Sequence, residues 1–61
     1  MLIYKVAETS QVDDQTLEAI LNTWTAEGWH FEGMHFAMRE ASRRPSMAFL
    51  TFTRETPDPS N

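Results

Sequence analysis

Apolar and polar residues alternate from Leu2 to Thr9, in LIYKVAET, and β-formers dominate the stretch. A period of two predicts a strand with Leu2, Tyr4 and Val6 on one face and Lys5 on the other. The period changes at Val12. In VDDQTLEAILNTWTAEG, residues 12–28, Leu17, Ile20, Leu21 and Trp24 recur at i, i+3, i+4 and i+7, which makes one apolar helical stripe. Asp13 is a good N-cap and Asp14 adds negative charge to the first turn. Val12, just before the cap, is placed to staple onto Leu17. Gly28 is the residue expected in the left-handed conformation at the helix end, and Trp29 falls where a Schellman motif returns an apolar side chain to the last turn near Trp24.

Two further strands follow. WHFEGMHFAM, residues 29–38, is apolar on both parities, and Gly33 marks a bulge or a close approach. MAFLTFTR, residues 47–54, carries Ala48, Leu50 and Phe52 on one parity and Met47, Phe49, Thr51 and Thr53 on the other. The residues between these strands are a polar loop. The predicted fold is α+β, in the order β-α-β-β, with one helix on one face of a three-stranded antiparallel sheet. The last strand is the most apolar and has no internal glycine or proline, so it belongs in the middle, in strand order 1-3-2. Residues 1–55 form a single domain, and the polar, proline-containing stretch 56–61 is expected to be a disordered tail.

One helix covers one sheet face. The expected helix-side core is Tyr4, Val6, Leu17, Ile20, Leu21, Trp24, Phe31, Leu50 and Phe52. That leaves Ile3, Met34, Phe36, Met38, Met47 and Phe49 for the far face, a patch larger than a soluble monomer leaves open. These six residues are the expected interface of a homo-oligomer. A bulge at Gly33 would instead bring some of them inside. Length sharpens the point. A chain of 61 residues buries only about 60% of its unfolded surface, and domains of this size need a staple. There is no cysteine, which excludes disulfides and cysteine zinc sites and leaves self-association. MLIYKVAETS has no basic leader before a long apolar core, and no apolar run is long enough to span a bilayer. The expectation is a cytoplasmic protein without membrane contact.

Candidate chemistry adds little. His30 and His35 lie five residues apart on one strand, so in a regular strand they face opposite ways and do not chelate one metal. His30 and Glu32 share a face but make only two ligands, so no metal and no cofactor is expected. No pair of acids is forced together by spacing, Ser42 and Ser46 have no evident base, and two glycines exclude a glycine-rich phosphate loop. The expectation is a protein that is not an enzyme, the alternative being an enzyme whose site is shared between subunits. The net charge is -4, which disfavours nucleic acid, yet the charge is uneven. Residues 1–38 hold one lysine against six acids, and residues 39–61 hold four arginines against three acids. Arg39, Arg43 and Arg44 are a candidate anion-binding loop. With Phe36 and Phe49 as stacking platforms, a regulator that contacts nucleic acid is the alternative function.

The segments YKV at Tyr4 to Val6, LEAILN at Leu17 to Asn22, AEGW at Ala26 to Trp29 and the closing MAFLTF resemble a group of very small bacterial and phage proteins, number 4177 in the series of domains of unknown function. The resemblance covers nearly all of the chain except the tail and is carried chiefly by AEGW. It implies a β-α-β-β domain, no established activity and no catalytic residue. The expected function is that of a small, self-associating binding or structural accessory module.

Overall fold

The computed structural model describes residues 1–38 and 44–57. Strand β1 (Leu2–Thr9) leads to helix α1 (Asp14–Ala26), then β2 (His30–Met38) and β3 (Pro45–Glu55). The sheet has the order β1-β3-β2, and β3 is antiparallel to both neighbours. This is the α+β, β-α-β-β arrangement that the pattern predicts. The central strand has neighbours on both edges, so the most apolar segment takes the most enclosed place. Ala48, Leu50 and Phe52 are fully buried there.

Both helix ends form as the sequence predicts. The Asp13 carboxylate accepts a 2.7 Å hydrogen bond from the Thr16 N–H, and its carbonyl accepts the first helical bond from Leu17 N–H at 3.0 Å. The cap satisfies donors that the first turn leaves without partners. At the other end Gly28 has φ +94°. The Gly28 N–H donates to the Thr25 carbonyl and the Trp29 N–H to the Trp24 carbonyl, each at 3.1 Å. This pair of bonds is the Schellman closure, and it brings Trp29 against the core beside Trp24. Leu17, Ile20, Leu21 and Trp24 pack on the buried strand residues, as does Val12 before the cap.

The faces of β1 differ from the expectation. Lys5 pairs with Phe52 and Ala7 with Leu50, and directly paired residues share a face. The helix side of β1 therefore carries Ile3, Lys5 and Ala7. Tyr4 and Val6, expected beneath the helix, point to the opposite face and are 66% and 61% exposed. Two tryptophans at the end of the helix account for the reversal. Ala7 is small enough to admit the helix, while Lys5 lies along Trp24 with Nζ 4.1 Å from the ring centroid and 5.7 Å from that of Trp29. An amphipathic stem with a cationic head suits the edge of an aromatic cluster better than a short branched side chain does.

Strand β2 is irregular in a way that decides its faces. Phe31 pairs with Phe52, but Gly33 pairs with Thr51. Two steps on β2 thus match one step on β3, and Glu32 is the extra residue of a bulge. The parity flips there. Phe31 lies on the helix side, where its ring meets Phe52 edge-on with centroids 5.8 Å apart. Beyond the bulge Met34 pairs with Leu50 and Phe36 with Ala48, so these two also lie on the helix side. A second shift follows between Ala37 and Met38, where the Ser46 hydroxyl donates to the Ala37 carbonyl at 3.0 Å. At the far end the Thr56 N–H donates to the Met1 carbonyl at 2.9 Å, so the pairing of β1 with β3 continues one step past Glu55.

Candidate functional site

The sheet face turned away from α1 is the candidate site. Every residue on it is placed by strand register. Tyr4, Thr53 and His30 form one row across β1, β3 and β2, Val6, Thr51 and Gly33 the next, and Glu8, Phe49 and His35 the third. Leu2 and Glu55 lie before these rows, and Met47 and Ala37 lie beyond them. Because side chains rise alternately from a strand, every row stands on the same surface. Tyr4 and Val6 stand tall on the β1 column, and Leu2 beside them is 48% exposed. On the β2 column Gly33 has no side chain, and a Cβ built there meets no atom within 4 Å. The surface therefore has a hollow at Gly33, between His30 and His35 on β2 and across the row from Val6 on β1. Among the described residues there is no pocket.

This placement revises the residues expected to form the open face. Of Ile3, Met34, Phe36, Met38, Met47 and Phe49, only Met47 and Phe49 are placed there by register. Ile3 pairs with Arg54 and belongs to the helix side, as do Met34 and Phe36 for the reason of the bulge. Met38 lies at the second shift, opposite Pro45, and is exposed. Phe36 is half exposed as well, on the helix side of an edge strand that the helix does not fully cover. Leu2, Tyr4 and Val6 take the place of the lost residues. Their alternation is visible in the sequence, and the register of β1 with β3 sets which sheet face it points to.

The bulge also changes the histidines. His30 pairs with Thr53 and His35 with Phe49, so both stand on the open face rather than on opposite faces. Four residue steps along β3 separate their rows, about 14 Å at the usual rise per residue, which is too far for both to bind one metal ion. Glu32 accepts a hydrogen bond from the Thr53 hydroxyl at 3.5 Å and helps to cover this buried threonine. Among the described residues, no group of three or more His, Cys, Asp or Glu side chains is placed to hold a metal. Arg44 is exposed at the entry to β3, and Arg39 and Arg43 lie outside the described residues.

A second cluster, on the helix side, escaped sequence reasoning. The Arg54 guanidinium lies 4.2 Å from the Trp29 ring centroid and donates to the Glu27 carbonyl at 2.7 Å. Helix α1 has no basic residue in its last turn. Arg54, from the end of β3, supplies the cation that the carbonyl end of the helix favours. With Lys5 it encloses the two tryptophans and closes that end of the core. No spacing rule links Lys5, Trp24, Trp29 and Arg54, because β1, α1, the turn after α1 and β3 each contribute one of them.

The Asp13 carboxyl is held below its usual range, chiefly by the Thr16 N–H and next by the Gln11 side chain. This is a property of the helix cap, remote from the open face. No described helix is long and apolar enough to cross a membrane. In comparisons with known proteins, no family model, no curated protein and no solved structure matched the chain.

Proposed function

We propose that the protein is a non-enzymatic interaction module that associates with itself through the sheet face turned away from α1. The observation that carries this reading is the exposure of Tyr4 and Val6, 66% and 61%, on the same surface as Phe49 and Met47. Large side chains grouped in this way are unusual on a soluble monomer. The core gives a second reason. Among the described residues Ala48, Leu50 and Phe52 are the buried hydrophobic ones, and none in the helix is buried. A domain with so small a core gains stability by covering more apolar surface, and a second copy is always available to do so.

Light scattering or sedimentation equilibrium, from micromolar to hundreds of micromolar protein, tests the proposal. The expected mass is a multiple of 7.1 kDa at the upper end, with a melting temperature that rises with concentration, as association linkage requires. A monomer mass throughout the range, with a constant melting temperature, overturns it.

A further inference from the structure

The open face is self-complementary in one orientation, and the geometry points to a two-fold dimer whose axis runs close to the strand direction above Thr51. This inference rests on the self-association proposed above and specifies its geometry. A two-fold interface brings each residue i of one copy against j of the other, and j against i. Two orientations stack the sheets face to face with strands aligned, as packed sheets prefer. An axis along the strands sets the β1 column of each copy over the β2 column of the other. An axis across the strands sets β1 over β1 and β2 over β2.

The hollow at Gly33 distinguishes them. Along the strands, Val6 stands opposite Gly33 of the second copy, so each copy's Val6 fills the other's hollow. Across the strands, Val6 meets its own counterpart while the two Gly33 positions face each other over a gap. Close packing disfavours that arrangement, because a void forfeits contacts along its lining.

Charge leads to the same choice. Glu8 and His35 flank Phe49 in one row. With the axis along the strands, Glu8 of each copy faces His35 of the other, and Tyr4 faces His30 and the neighbouring Glu32. With the axis across the strands, His35 faces His30 and Glu8 faces Tyr4, so the acid and the imidazole do not meet. The face spans about 14 by 26 Å by strand spacing and rise. That is about 360 Å² on each partner, the size of a weak, transient interface.

The test uses the full chain, with mass and dissociation constant measured by sedimentation and folding followed by far-UV circular dichroism. Gly33→Leu has room within one copy, since a Cβ there meets nothing within 4 Å. It is expected to fold as the parent does and to weaken the dimer by at least about tenfold, by filling the hollow that Val6 needs. His35→Glu and Glu8→Lys are each expected to weaken the dimer by about three- to tenfold, with two contacts per dimer affected. The double variant Glu8→Lys/His35→Glu is expected to recover most of that loss, because an ammonium and a carboxylate then face each other across the interface. If the parent dimerises but Gly33→Leu has no effect and the double variant shows no recovery, this geometry is wrong while self-association stands. A parent chain that is monomeric at hundreds of micromolar overturns both.

Discussion

Lys5 offers the sharpest test of how the two sheet faces are assigned. Hydropathy ranks Val6 as core and Lys5 as surface, but the structure places Lys5 against the tryptophans and Val6 in the open. Lys5→Met keeps the stem and removes the charge. With Nζ 4.1 Å from the Trp24 centroid, the loss should be about 0.5–1 kcal/mol, the range for a partly exposed cation over an aromatic ring. Lys5→Ala also removes the outer methylenes of the stem. At about 0.8 kcal/mol for each fully buried methylene, a half-buried stem adds about 1 kcal/mol. The total of about 1.5–2 kcal/mol corresponds to a fall in melting temperature of about 12–16 °C for a domain of this size. Val6→Ala, on an exposed site, should stay within about 0.5 kcal/mol in the monomer. Urea denaturation followed by far-UV circular dichroism at low micromolar protein measures all three. If Val6→Ala costs more than Lys5→Ala there, the assignment of the β1 faces is wrong. If Lys5→Met matches the parent, the stem matters and the charge does not.

Three other substitutions probe separate parts of the fold. Leu50→Ala, at a fully buried site in the central strand, should cost about 2–5 kcal/mol. That is comparable with the whole stability of so small a domain, so thermal melting should show a chain largely unfolded at room temperature. Gly28→Ala should cost about 1 kcal/mol in urea denaturation, through the φ of +94° rather than any clash. A loss no larger than that of an ordinary helix-surface substitution would refute the capping role. Asp13 carries a pH signature. Its carboxyl titrates lower in the folded chain than in the unfolded chain, so its stabilising effect is complete above the unfolded value. The effect is lost as pH falls through the folded value. Asp13→Asn keeps a capping side chain without the titration, so its stability deficit at neutral pH should shrink below about pH 4. An unchanged deficit in acid melts would show that the carboxylate charge contributes nothing.

The legible and the illegible parts of this chain divide along a physical line. Signals carried by neighbours in sequence were readable. The apolar stripe of Leu17, Ile20, Leu21 and Trp24, the Asp13 cap and the Gly28 stop act within a few residues of one another, so the chain states them directly. The central position of β3 was readable too, because only a strand with neighbours on both edges tolerates so apolar a run. The choice of face was not readable on β1. Alternation shows that Leu2, Tyr4 and Val6 lie together, but either face of the sheet accepts them until the register with β3 is set. The bulge at Glu32 had a partial signal in Gly33, yet its effect on Met34, Phe36 and His35 depends on which pair of β3 residues it falls between.

The open face shows the same division. The sequence by itself determined that the chain has more apolar surface than one helix can cover, and that no cysteine is present to compensate. Which residues bear that surface was decided only in the tertiary structure, where Lys5 and Arg54 enclose two tryptophans at the end of the helix and turn Tyr4 and Val6 outward. The physical reason is that hydropathy sums over single residues, whereas the burial of a lysine stem depends on aromatic rings that other parts of the chain deliver.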